Sequence, residues 1–189
     1  ADSLWYGITP SYADHSEDVL VSYAQVTGSE YGMAMFVTDS LKIEKSVFDD
    51  NEDNGIVVAG TPKYALISRN VMHVPEGVGV LLQCNRYSTD SSLVEVSNNR
   101  IVADSSVPVA GIKVQTSGAD PTGEAIIHAD TLSSFSGGSG IWLTKLAPVV
   151  TNCVVTDNKY GIYVTEGFPQ IGTTASSDNI IAGNTRGIF

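Results

Sequence analysis

The densest run of chemically capable side chains is Asp49-Asp50-Asn51-Glu52-Asp53-Asn54, six consecutive residues that each carry side-chain oxygen. A hard cation needs several converging oxygens, so calcium is the ion such a run could take, with Asp49, Asp50 and Asp53 as ligands. The spacing departs from an EF-hand loop, because Asn54 stands where that loop has its glycine and Gly60 where it has its last Glu. A solvated acidic turn is the competing reading, and the cofactor expectation is none, with calcium the exception at those three carboxylates. Soft and borderline donors are scattered. His15, His73 and His128 fall at unrelated offsets, and His128, beside Ile126 and Ile127, reads as a structural strand residue. Cys84 and Cys153 would need Cα atoms within about 7 Å to bridge, so buried free thiols are expected.

Charge narrows the partners. Ten Lys plus Arg against 21 Asp plus Glu give a formal net charge of −11, which repels phosphate backbones and anionic lipid. Nucleic acid and membrane insertion are therefore not expected, and no stretch approaches the roughly 20 apolar residues of a membrane span. The same balance argues more weakly against an enzyme acting on polyuronates, which would need local basic residues. Only 16% of residues are charged while 18 are glycine, a composition of turns and packed extended chain. The amino terminus shows no basic region followed by an apolar run, so no targeting signal is expected in this chain.

A repeat positions these residues. Glycine followed by an aliphatic residue or Met recurs at Gly7-Ile8, Gly32-Met33, Gly55-Ile56, Gly79-Val80, Gly111-Ile112, Gly140-Ile141, Gly161-Ile162 and Gly187-Ile188, at intervals of 21 to 32 residues. Such a period marks stacked supersecondary units. The residue after each glycine, and Pro10, Met35, Val58, Leu82, Val114, Leu143 and Val164 two further on, form two apolar columns predicted to point inward. A second run in each unit is anchored on Val26, Val47, Met72, Ile101, Leu132, Val154 and Ile180. Two residues before these anchors stand Ala24, Lys45, Asn70, Asn99, Asp130, Asn152 and Asp178, mostly Asn or Asp, as suits a stacked turn.

These units, exemplified by residues 152–164 and 178–188, resemble the right-handed parallel β-helix of the pectate-lyase-like and surface β-helix proteins, over nearly the whole chain. The resemblance implies an all-β, single-stranded parallel β-helix of about seven to eight coils, one domain over residues 1–189, either a segment of a longer chain or a stacking protomer. It settles no chemistry, since the fold hosts polysaccharide lyases, hydrolases, epimerases, tailspikes and surface proteins. The polygalacturonase set of Asn-Thr-Asp, Asp-Asp, Gly-His-Gly and Arg-Ile-Lys is absent as a set. Asp120-Pro121-Thr122 lacks the histidine of the epimerase Asp-Pro-His motif.

Two residues after each glycine stand Thr9, Ala34, Val57, Leu81, Lys113, Trp142, Tyr163 and Phe189, predicted to face outward. An exposed apolar column marks an interface, and rings can also stack on sugars. Val57, Leu81, Trp142, Tyr163 and Phe189 are the candidate binding residues. Insertions at residues 12–18, 85–92, 116–124 and 166–177 fall on one side of the repeat, where recognition loops belong. The expectation is a noncatalytic extracellular or cell-surface scaffold that meets other protein chains through open coil ends or this face, with polysaccharide as a further partner. The alternative is a carbohydrate-active β-helix or a glycan-binding tailspike segment.

Overall fold

The computed structural model describes residues 7–9, 16–60, 62–84, 93–115, 124–145, 148–172 and 178–189. In chain order the strands are β1 (Ser16–Ser22), β2 (Gln25–Thr27), β3 (Tyr31–Glu44), β4 (Val47–Asp49), β5 (Asn54–Gly60), β6 (Tyr64–Ser68), β7 (Val71–Val74), β8 (Val78–Cys84), β9 (Leu93–Ser97) and β10 (Arg100–Ala103). They continue as β11 (Ala110–Gln115), β12 (Glu124–His128), β13 (Thr131–Ser133), β14 (Ser139–Thr144), β15 (Val149–Thr151), β16 (Val154–Thr156), β17 (Tyr160–Glu166), β18 (Gln170–Ile171), β19 (Ile180–Ala182) and β20 (Arg186–Ile188). All pairings are parallel, and from β4 onward each strand pairs with the third strand after it, so the chain winds through three sheets once per coil.

The first sheet runs β3-β5-β8-β11-β14-β17-β20, the second β1-β3-β6-β9-β12-β15-β18 and the third β2-β4-β7-β10-β13-β16-β19. β3 serves two sheets, its first part pairing with β5 and its last with β1 and β6, so each sheet has seven strands. This is the right-handed parallel β-helix that the repeat implied.

Side-chain alternation builds the core. Met33, Ile56, Val80, Ile112, Ile141 and Ile162 stack in register inside the first sheet, with Met35, Val58, Leu82, Val114 and Leu143 as a second column, all buried. The second sheet adds Leu41, Ile43, Ala65, Ile67, Val94, Val96, Ile127 and Val150. Burying each such aliphatic side chain stabilises by roughly 1.5–3 kcal/mol, and only stacked neighbours supply the burial.

The third sheet corrects the sequence register. Its inward residues are Val26, Phe48, Met72, Ile101, Leu132, Val155 and, partly buried, Ile181. The anchors expected at Val47, Val154 and Ile180 are each one residue early. A two-residue turn sets this register. Tyr23, Lys45, Arg69, Asn98, Ala129 and Asn152 all adopt left-handed backbone, φ between 53° and 58°, and the following residue points inward. That inward position forms a hydrogen-bonded ladder of Ser46, Asn70, Asn99, Asp130, Cys153 and Asn179. The Asn70 side chain accepts from the Ser46 amide (3.0 Å) and that of Asn99 from the Asn70 amide (3.0 Å), while Asp130 accepts from the Asn99 amide (2.7 Å) and Asn179 from the Cys153 amide (2.9 Å). Lys45, Asn152 and Asp178 are thus not rungs. Their neighbours Ser46, Cys153 and Asn179 are.

The glycine column has a steric cause. A Cβ on Gly111 would lie 2.6 Å from Leu132 Cδ2 and 2.8 Å from the Gly140 carbonyl oxygen, so the corner between third and first sheets closes only over hydrogen. Of the expected insertions, residues 12–15, 85–92, 116–123 and 173–177 lie outside the described residues, as does Pro10. Residues 16–18 belong instead to β1, and Gln170 and Ile171 to β18.

Candidate functional site

On the outward face of the first sheet, rings, cations and a cleft meet. Ala34, Val57, Leu81, Lys113, Trp142 and Tyr163 are register partners on successive strands, and Phe189 stacks on Tyr163 at 5.6 Å. All five sequence-derived binding residues therefore fall in one column. Its two halves differ. Leu81 is only 8% exposed and forms an apolar cluster with Val78 and Ala110, against which the half-buried Val57 and Trp142 pack. The expected solvent exposure is concentrated at the aromatic end.

A parallel column, one residue before each glycine, was not singled out from sequence. It brings Ala110, Ser139, Tyr160 and Arg186 into register. Tyr160 stacks on Tyr163 with centroids 4.9 Å apart, Trp142 lies tilted against Tyr163 at 5.5 Å, and Tyr160 meets Phe189 at 5.5 Å. The signal was available, because those residues stand at a fixed offset from the same glycines.

Cations lie over these rings. Lys113 Nζ sits 4.2 Å from the Trp142 centroid, Lys159 Nζ 5.4 Å from Tyr160, and the Arg186 guanidinium 4.6 Å from Phe189 and 5.6 Å from Tyr160. Each contact contributes of order 0.5–1 kcal/mol at a surface. Burial pushes the Lys113 ammonium below its ordinary pKa. Beside the rings a cleft of about 250 Å³ is lined by Val107, Pro108, Val109, Gly137, Gly138, Ser139, Trp142, Tyr160 and Tyr163. Among its described lining residues the rings of Trp142, Tyr160 and Tyr163 offer stacking surface, and Ser139 and the two tyrosines offer hydroxyls.

The acidic run does not converge. Asp49 closes β4 and bonds His73 Nδ1 at 2.8 Å, Asp50 occupies a left-handed turn with φ 51°, and Asp53 accepts a hydrogen bond from the Tyr31 hydroxyl. His128 lies in β12, its Nδ1 3.0 Å from Thr151 Oγ1, and His15 lies outside the described residues. Cys153 is a buried free thiol pushed up to about 12, chiefly by burial and then by neighbouring Asp130. The side chain of Cys84 lies outside the described residues.

Comparison with known proteins gives one family. The model described as periplasmic copper-binding protein (NosD) matches residues 3–185. No curated protein matches, and no solved structure does. The family's description overturns two expectations drawn from sequence. Its place is the periplasm rather than the extracellular space or cell surface, and its named metal is copper, against the expectation of no cofactor with calcium at Asp49, Asp50 and Asp53. Converging carboxylates are hard-cation donors, whereas copper favours imidazole and sulfur. Composition and repeat length carry no mark that separates one envelope compartment from another.

The described side chains do not assemble a copper site. Among them no three His, Cys, Asp or Glu come together to hold a metal ion. Met33, Met35 and Met72 are enclosed in the core, and Cys153 is held as a buried thiol. His73 and Asp49 offer two donors only.

Proposed function

The chain belongs to the NosD family of periplasmic copper-binding proteins, and from that premise we propose that it is a noncatalytic β-helical scaffold of the periplasm that docks a partner protein on the outer face of its first sheet, as part of copper handling. The observation that carries the reading is the cluster of Trp142, Tyr160, Tyr163 and Phe189 in mutual contact on that face. Rings held on a rigid ladder lose little conformational freedom when a partner covers them, which is why such anchors dominate interface energetics. A parallel stack is also compatible with protein contacts at its coil ends. No copper step is assigned to the described residues, because they offer no donor set. The scaffold's contribution in this reading is position.

In periplasmic extract the chain is expected to run in a complex larger than its own 20.0 kDa. Trp142→Ser with Tyr163→Ser should return it to monomer size, with a melting temperature within a few degrees of the parent, since both substituted side chains face outward. Parent and variant both running as monomers, or both remaining in the complex, would contradict the reading.

A further inference from the structure

We propose that the partner's contacting segment is an acidic polypeptide, seated with its carboxylates against Lys113, Lys159 and Arg186 and its apolar side chains against Trp142 and Val57; this rests on the reading that the first sheet's outer face is the docking face.

Charge placement is the first argument. Acids outnumber bases 21 to 10 in this chain, yet six described cations, Lys45, Arg69, Arg100, Lys113, Lys159 and Arg186, have no carboxylate of the described residues within ion-pair distance, and three of the six gather on the first sheet's outer face. Lys42, Lys63 and Lys145 each pair with a carboxylate, Glu44, Asp39 and Glu166 respectively. Lys113, Lys159 and Arg186 have no carboxylate of the described residues within ion-pair distance, and each is held over a ring instead. Lys113 on β11, Lys159 immediately before β17 and Arg186 on β20, with β14 between β11 and β17, place three uncompensated cations along one face of a molecule of net charge −11. On a molecule whose long-range field repels anions, cations gathered beside an aromatic cleft direct an acidic segment to that cleft.

The lining decides between classes of anion. A sugar acid needs several hydrogen-bonding groups for its hydroxyls, yet the side chains lining the cleft supply only Ser139, itself buried, the Tyr160 and Tyr163 hydroxyls, and the Trp142 indole N–H, which already faces Thr165 Oγ1 at 3.5 Å. The column instead continues from Trp142 and Lys113 past the buried Leu81 to the half-buried Val57, apolar surface that matches apolar side chains. Alternating acidic and apolar residues on an extended segment would meet both. An anionic polysaccharide is thereby disfavoured.

The probes are an eight-residue peptide alternating Glu and Val, its counterpart alternating Lys and Val, and trigalacturonate, each titrated into the intact chain by calorimetry. The Glu–Val peptide is expected to bind with Kd below about 1 mM and at least about tenfold more tightly than the Lys–Val peptide. Lys113→Gln with Arg186→Gln should weaken it about tenfold, and so should raising salt from 0.05 to 0.5 M, since both act on the same partly exposed charges. Melting curves confirm that the double variant is folded, and the salt series stands without any variant. No binding of the Glu–Val peptide, equal binding of the two peptides, or tighter binding of trigalacturonate would overturn the proposal. Self-association of the chain alone that the double variant abolishes would overturn the partner in favour of a second copy. If the peptide fails while Trp142→Ser with Tyr163→Ser still dissolves the complex, the acidic class falls and the docking face stands; if the complex is also unaffected, the docking face falls.

Discussion

Replacing Asp130 with Asn is expected to stabilise the protein, by an amount that grows with pH. Asp130 is a fully buried rung of the ladder, its Oδ1 accepting from the Asn99 amide and, at 2.9 Å, from Asn99 Nδ2. At neighbouring rungs the other side-chain atom is a donor. The Nδ2 groups of Asn70, Asn99 and Asn179 donate to the carbonyls of Ile43, Ile67 and Val150, and Cys153 Sγ lies 3.8 Å from that of Ile127. At Asp130 that atom is Oδ2, an acceptor, and it has no partner. Burial, with the Glu95 charge adding to it and hydrogen bonds from Asn99 opposing it, pushes the carboxyl from 3.8 up to about 7.

The folded state therefore binds a proton that the unfolded chain releases near pH 4. Stability falls as pH rises from about 4 to about 7 and levels off above, where the accumulated cost is about 4 kcal/mol. Asn is nearly isosteric, carries no charge, and would present Nδ2 toward the register-equivalent carbonyl of Val96. Urea unfolding of Asp130→Asn against the parent should show near equality at pH 4 and a gain of about 3–4 kcal/mol at pH 8. A gain independent of pH, or a loss at pH 8, would show that the carboxylate is satisfied in a way its surroundings do not reveal.

Gly111→Val is expected to cost about 3 kcal/mol, and Gly111→Ala less. The three atoms nearest an added Cβ are Leu132 Cδ2, the Gly140 carbonyl oxygen and Phe135 Cε2 at 3.2 Å. Leu132 and Phe135 are fully buried, and the Gly140 carbonyl belongs to the next coil's backbone, so relief requires the coils to separate. Valine's two further methyl groups add volume in the same closed corner. The unfolding midpoint of each variant in urea measures this, and a Val variant within about 0.5 kcal/mol of the parent would refute the steric account of the glycine column.

That column is also why so much of the fold was legible. Each of its glycines from Gly32 to Gly161 marks a corner that admits no side chain, and the residues one, two and three places beyond it alternate inward, outward, inward on strands long enough to show a period. Ile141, Trp142 and Leu143 are one such set. The third sheet was read one residue early at Val47, Val154 and Ile180 because its strands there are three residues long and begin with adjacent apolar residues, Val47-Phe48, Val154-Val155 and Ile180-Ile181. A left-handed turn residue fixes the choice, and nothing in Lys45 or Ala129 announces that backbone. The second sheet passed unnoticed for a related reason, since its strands follow insertions of varying length that erase the spacing.

The candidate site was half legible. Val57, Leu81, Trp142, Tyr163 and Phe189 follow from the glycine register alone. Tyr160, Lys159 and Arg186 did not, because they stand one or two residues before the glycines, outside the alternating set that follows each glycine, and Arg186 reaches Tyr160 only across coils. The aliphatic half was expected to be exposed, but Leu81 packs with Val78 and Ala110, a cluster drawn from two adjacent strands.

The central claim is that the outer face of the first sheet holds the partner. Site-specific photo-crosslinking in the periplasm addresses it most directly, with a photoreactive residue placed in turn at Trp142, Tyr163, His73 and Arg100, the last two on the third sheet. A discrete adduct from positions 142 and 163, absent from 73 and 100, is the expected result. Adducts from 73 and 100 alone, equal adducts from all four, or none from 142 and 163 would contradict the claim.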